Sequence, residues 1–310
     1  MLVDKRQRYF RRYNVRWNGR EPGSPALPLT VPSGPNSIVS ALRRAIKLGK
    51  ATASEGKDTI ELIKADFLEA KGVVVLLFHR TSPNAADPAY RRKVKDEVVL
   101  RQTVKEIDED QVVSSHFVIS ATADDDGGYP AVLEEIPGLS ATTVLGIVRR
   151  VLHDFKYPYT VKKKSMETNT TFKAEGVKSE NLDTALKNKS SLRYLTLTRT
   201  APVDVPDGAG IVEPRSERAR YKIVGDPTSD GWKKKFKNFV EGTKASWDQV
   251  AVEVQLDDDR HRTIVIDRDN AAAEVLFVRS QLVYFKDDLP SCSTSIVTRI
   301  VNASVKLMPE

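Results

Sequence analysis

The chain has a single cysteine in 310 residues, Cys292. That excludes an intramolecular disulfide and any cysteine-built zinc cluster, and it fits a reducing, cytoplasmic setting. Long hydrophobic runs are also missing. The longest, Val73 to Phe78 within GVVVLLFH, falls far short of the ~20 residues that span a bilayer, so no membrane insertion is expected. The first residues alternate charge and aromatics where a secretory leader has an apolar core, so no signal peptide is expected. The four histidines, His79, His116, His153 and His261, lack the close pairing of a metal site, and no metal or other cofactor is expected. There is no GxxxxGK[ST] loop, no GxGxxG after a strand and no GxSxG elbow. Nucleotide hydrolysis and acyl transfer therefore lose their usual signatures.

What the chain does have is segregated positive charge. Residues 1–20 hold seven Lys/Arg against one acid, interleaved with Tyr9, Phe10, Tyr13 and Trp17. Residues 156–193 hold nine against four and 211–244 nine against five, whereas 245–310 holds seven against eleven. Segregated charge makes local positive fields that attract phosphate and release counterions, so the partner indicated is a polyanion, nucleic acid first. The candidate phosphate contacts are Arg8, Arg11, Arg12 and Arg16 in the N-terminal run, Arg43 and Arg44 on a helix, Lys162, Lys163 and Lys164 in the middle, and Lys233, Lys234, Lys235 and Lys237 beyond. The arginines of the first group suit a flexible arm entering a minor groove. The aromatics beside them suit either base stacking or core packing.

Length and composition, with 40% apolar and 29% charged residues, predict a folded chain of two lobes. The expected class is α/β (α+β), each lobe a mainly antiparallel sheet with packed helices, joined by a basic linker. The N-terminal lobe covers 1–155 and includes a proline-rich loop at 21–35, with five prolines in EPGSPALPLTVPSGP. Asn36 or Ser37 caps a helix ending near Gly49. Strands follow at Thr59–Phe67 and Gly72–His79, a half-exposed helix at Asp87–Glu106, and strands Ser114–Thr122 and Tyr129–Ile136 about an aspartate- and glycine-rich turn. A helix from Ser140 or Thr142 to Phe155 closes the lobe. Residues 156–190 read as a basic linker or arm. In the C-terminal lobe, 191–310, strands are expected at Leu192–Thr198, Ala219–Val224, Gln249–Leu256, Arg262–Asp267 and Val275–Phe285. Trp232, Phe236, Phe239 and Val240 form one stripe of a helix. Ser293–Leu307 reads equally as helix or strand.

Two alternatives stand beside non-enzymatic binding. A metal-dependent nuclease would use Asp248, Glu253 and Asp267 on neighbouring strands to hold Mg²⁺ against a phosphate. A protein-interaction subunit would instead use apolar strand edges. The aspartate triplets 124–126 and 257–259 fit solvated turns better than calcium loops, because neither has a spaced loop with a closing glutamate.

The order of YFRRYNVRW, GVVVLLFHRT, a charged connector, SSHFVISA, RYLTLTR, RYKIV, WKKKFKNFV and the VAVEVQL–HRTIVID hairpin resembles the RexA-like phage-exclusion proteins. The resemblance covers most of the chain, apart from the proline-rich stretch at 21–35. It implies a two-lobed protein that forms a homodimer and binds double-stranded DNA largely without sequence preference. It also implies a role in phage exclusion or anti-phage defence together with a second defence-system protein.

Overall fold

The computed structural model describes residues 3–30, 36–95, 97–177, 180–181, 191–200, 216–227, 229–243, 245–255, 261–266, 276–277 and 280–308. The protein is mixed α+β, its described strand pairs are antiparallel, and it divides into two compact units, Met1–Val177 with Ser280–Glu310, and Lys178–Arg279. The first unit runs β1 (Gln7–Gly19), α1 (Ile38–Lys47), β2 (Thr52–Glu55), β3 (Asp58–Leu68), β4 (Val73–Ser82), β5 (Ala89–Val94), β6 (Glu97–Gln102), β7 (Gln111–Ser120), β8 (Tyr129–Glu135), α2 (Ala141–Asp154), β9 (Tyr157–Val161), β10 (Lys164–Thr168) and β11 (Thr170–Gly176). Its main sheet has the order β11-β1-β8-β7-β4-β3-β2, while β5–β6 and β9–β10 are separate hairpins.

The apolar run in β4 is continuous because both faces of that strand are covered. Val74, Leu76 and Phe78 face one core with Leu42 of α1 and Val148 and Leu152 of α2, whereas Val73 and Val75 face another with Val118 and Val301. Strand β1 changes sides along its length: Phe10 joins a cluster with Leu289 and Ile300, and Tyr13, Val15 and Trp17 join the α1–α2 core. Local chemistry places the helices. The Ser37 hydroxyl accepts from the Ser40 N–H at 3.1 Å, capping α1, and Gly49 follows it at φ 63°, a left-handed position that glycine adopts without strain. Between β8 and α2, Pro137 and Gly138 sit centrally in a turn closed by Leu139 N–H to Ile136 C=O at 3.0 Å, with Gly138 at φ 82°, as a type II turn requires.

The second unit contains β12 (Glu180–Asn181), β13 (Ser191–Thr200), β14 (Ser216–Lys222), α3 (Asp230–Thr243), β15 (Gln249–Gln255), β16 (His261–Ile266) and β17 (Leu276–Phe277). Its sheet has the order β14-β13-β15-β16. Leu195, Leu197, Val250, Val252, Ile264 and Ile266 pack with Val240 of α3, and Trp232 and Phe236 stack 4.8 Å apart at the edge of that core. Phe239 is more exposed than the helical stripe implies and meets Tyr221 edge-on at 6.3 Å.

The chain then returns to the first unit. Strand β18 (Gln281–Tyr284) pairs with the first part of β1, on the side where β11 pairs with its second part, and helix α4 (Thr298–Leu307) carries Ile300 and Val301 into the two clusters opposite α1 and α2. The return is held by a buried charge network. Arg8 Nε lies 3.0 Å from Glu134 Oε1, with the two side chains 3% and 2% exposed. Glu134 Oε2 lies 2.7 Å from His116 Nδ1 and accepts the His116 backbone N–H at 3.1 Å. His116 Nε2 accepts the N–H of Val297, the N-cap residue of α4, at 3.1 Å, so the ring proton sits on Nδ1 and is donated to Glu134. Arg8 also donates to Pro290 C=O at 3.1 Å.

Several sequence expectations change. Residues 87–106 form the β5–β6 hairpin and its flanks, not a helix; the strands are exposed on both sides and lack the apolar period a helix needs to dock. Residues 157–176 are three strands, not a linker, because Tyr157, Tyr159 and Phe172 carry them into buried positions. Segment 280–308 belongs with the N-terminal unit, and the expected strand 275–285 is divided between β17 and β18. The N-terminal arginine run is not a flexible arm: residues 7–19 are a thirteen-residue strand inside the sheet. The 257–259 turn lies outside the described residues.

Replacing Glu134 by Ala strands Arg8 in the core, and such truncations cost about 3–5 kcal/mol. Urea denaturation of Glu134→Ala is expected to show a loss of that order, and a loss below ~1 kcal/mol would show that Arg8 finds solvent on its own.

Candidate nucleic-acid interface

Helix α3 covers only one face of the second unit's sheet. Strand β14 reads SERARYK, and period-two alternation sends Ala219 and Tyr221 toward the helix side and Arg218, Arg220 and Lys222 to the other. Across the ladder, Arg218 pairs with Thr198, Arg220 with Thr196 and Lys222 with Tyr194. Among the described residues no helix covers this other face, which is a basic edge beside hydroxyls and one aromatic ring. Arg220 is fixed there: its Cζ stands 3.9 Å over the Tyr194 ring, and Nη2 reaches Glu253 Oε2 at 2.6 Å. Arg218 and Lys222 flank it, both exposed. Same-face residues of a strand repeat at about 6.8 Å, twice the ~3.4 Å axial rise per phosphate on one DNA strand.

The first unit has two further basic features. On β1, exposed Arg16 stands directly opposite exposed Lys173 of β11. Like charges facing each other across a ladder are mutually destabilising, and an anion between them relieves it. At the tip of the β9–β10 hairpin, Val161 pairs with Lys164, and the two loop residues Lys162 and Lys163 both take positive φ, 48° and 65°. This is the geometry of a type I′ turn, which favours Asn-Gly; two lysines there cost about 1 kcal/mol each in backbone strain, and the exposed charge is what they add.

The expected contacts are distributed as follows. Arg8 is removed from the set, because its guanidinium is consumed by Glu134, Pro290 and neighbouring carbonyls. Arg11 is half-buried and ion-paired with Glu135, and Arg12 is half-buried on the same strand. Phe10, Tyr13 and Trp17 lie in cores and cannot stack on bases. Arg43 is exposed but engaged with Asp66 at 2.8 Å and with Ala65 C=O, whereas Arg44 is simply exposed. Lys162, Lys163 and Lys164 share one exposed hairpin. On α3, Lys234, Lys235 and Lys237 are exposed, Lys237 with Glu241 at 3.9 Å, and the Lys233 side chain lies outside the described residues. The Arg218, Arg220 and Lys222 row is absent from the sequence expectations, although R-x-R-x-K running into the expected strand 219–224 carries the signal: alternation puts all three on one face.

Two acidic residues of the nuclease alternative, Asp248 and Glu253, are tied into the fold. Asp248 accepts the Thr200 N–H at 2.6 Å and its hydroxyl at 3.0 Å, Glu253 holds Arg220, and Asp267 lies outside the described residues. Among the described residues no three His, Cys, Asp or Glu side chains gather in a way that could hold a metal ion. Asp124 is spent on its own turn, accepting from Gly128 N–H and Asn14, both at 2.6 Å. One cysteine–histidine approach exists, Cys292 Sγ to His79 Nε2 at 3.6 Å. His79 Nε2 donates instead to Ser293 C=O at 2.9 Å, so it has no lone pair for the thiol proton. Burial, partly offset by bonds to Ser114 and Ser293, pushes the Cys292 thiol above its ordinary pKa.

No helix among the described residues is long and apolar enough to cross a membrane. No family model matches the chain, and no curated protein matches it.

Because burial disfavours the thiolate, Cys292 in the native chain is expected to alkylate more slowly at neutral pH than in the urea-unfolded chain, with its half-maximal rate at higher pH. Faster native labelling would reveal an activated nucleophile.

Proposed function

We propose that the protein is a non-enzymatic binder of double-stranded DNA that acts through backbone phosphates, largely without sequence preference. The observation that carries this reading is the row of exposed Arg218, Arg220 and Lys222 on the face of the second unit's sheet opposite α3. A row of exposed cations at strand spacing, with one member pre-oriented by a ring and a carboxylate, suits a run of phosphates and makes no demand on base identity. The exposed lysines of α3 and of the β9–β10 tip, and the Arg16–Lys173 pair, supply more charge of the same kind. Tyr194 is covered by Arg220, which favours backbone contact over stacking on unpaired bases.

The resemblance to RexA-like phage-exclusion proteins supports a setting for this binding in phage exclusion or defence. A homodimer and a second defence-system protein are the protein partners that go with it.

Duplex binding of the intact chain, followed across a salt series with and without Mg²⁺, tests the reading. Affinity is expected to fall steeply with salt, and the DNA to stay intact. A variant with Arg218→Ala, Arg220→Ala and Lys222→Ala is expected to flatten the logarithmic salt dependence by about 2–3, since each phosphate contact contributes ~0.9. An absence of binding at low salt sinks the proposal, and Mg²⁺-dependent cutting turns it toward a nuclease.

A further inference from the structure

The β5–β6 hairpin is an anomaly by the rules that shape the rest of the first unit. It is inserted between β4 and β7, neighbouring strands of the main sheet, yet it pairs with neither. All twelve strand residues are exposed on both faces. They include Leu100 at 69% and Val98 at 51% exposure, side chains that folding normally withdraws from water. An isolated two-stranded hairpin is marginal in water, so a ribbon of this kind is built to meet something.

Its charge says what. Residues 89–102 carry five bases, Arg91, Arg92, Lys93, Lys95 and Arg101, against Asp96 and Glu97. A second copy of this chain, itself at +7, is a poor electrostatic match, whereas a polyanion is a good one. The two faces differ. On one, Arg101 stacks 5.1 Å over Tyr90 and stiffens the ribbon, Arg92 stands opposite Val99, and the acid Glu97 stands opposite Val94. On the other, Arg91 stands opposite Leu100 and Lys93 opposite Val98, a mixture of cations and aliphatic groups. The root is tied by Thr103 N–H to Pro88 C=O at 2.9 Å and Lys105 N–H to Asp87 at 3.3 Å.

Resting on the reading of the protein as a duplex-DNA binder, we propose that this ribbon lies in the major groove, with Arg91, Lys93, Val98 and Leu100 toward the base edges. Two strands ~4.8 Å apart with their side chains match a groove about 12 Å wide, which admits a two-stranded ribbon. Six residues at ~3.4 Å each reach across about six base pairs. Arginine and lysine donate to guanine O6 and N7, and the aliphatic groups touch thymine methyls. So short a set gives only a compositional bias, and binding stays largely sequence-nonspecific. What the ribbon does choose is helix form, because the deep, narrow major groove of A-form RNA does not admit it.

The test uses the intact chain on a mixed-sequence DNA duplex and on the RNA duplex of the same sequence, with dimethyl sulfate reporting access to guanine N7. The wild type is expected to protect N7 in DNA. A variant with Arg91→Ser, Lys93→Ser and Leu100→Ser is expected to lose that protection and about tenfold in DNA affinity while binding RNA duplex as before. The Arg218, Arg220 and Lys222 alanine variant is expected to weaken on both duplexes. Thermal melting and sedimentation of each variant show that it is folded and in which oligomeric state. Tight DNA binding with N7 fully reactive overturns the groove proposal and leaves the binder intact. Equal DNA binding by wild type and hairpin variant, with a dimer falling to monomer, overturns it in favour of a second copy. Failure of the wild type to bind either duplex at low salt removes both readings together.

Discussion

A carboxylate with almost no access to water governs the first unit. Glu134 faces Arg8 and His116 away from water, and a buried carboxyl left without partners is prohibitively costly, so its partners must be in place at once. Arg8 comes from the start of the chain, His116 from the middle of the sheet, and His116 in turn receives the N–H that begins the last helix. Three regions far apart in sequence are thereby brought into one register. Apolar packing alone tolerates slippage of α4 along the sheet; a bond to one ring nitrogen does not.

The same network separates structural from available charge. The N-terminal arginine run looks uniform, yet Arg8 and Arg11 are committed to Glu134 and Glu135 while Arg16 is left opposite Lys173. In the second unit Arg220 is held by Tyr194 and Glu253, so it presents a fixed cation instead of a wandering one, and Arg218 and Lys222 take their direction from the strand. Pre-orientation lowers the entropy lost on meeting a phosphate. The strained Lys162–Lys163 tip and the β5–β6 ribbon show the opposite economy: each keeps charge or apolar surface in water where folding alone favours neither.

Much of the architecture was legible. The Ser37 cap and the continuous apolar run of β4 are local patterns with local causes and stand where those patterns put them, as do Trp232, Phe236 and Val240 of the α3 stripe, while Phe239 is exposed. Residues 87–106 misled because hairpin strands exposed on both faces show no inside-outside alternation, and dense charge imitates a solvated helix. Residues 157–176 misled because their few buried side chains, Tyr157, Tyr159 and Phe172, are diluted by lysines.

The sequence by itself determined that this is an α+β chain of antiparallel strands with clustered positive charge, because periodicity and composition are properties of neighbours along the chain. Only the tertiary structure decided that 280–308 folds back onto the N-terminal sheet, and which cations face solvent. Those outcomes depend on partners a hundred or more residues away: Glu134 is 126 positions from Arg8, and Val297 is 181 from His116. No local pattern records which carboxylate an arginine will meet.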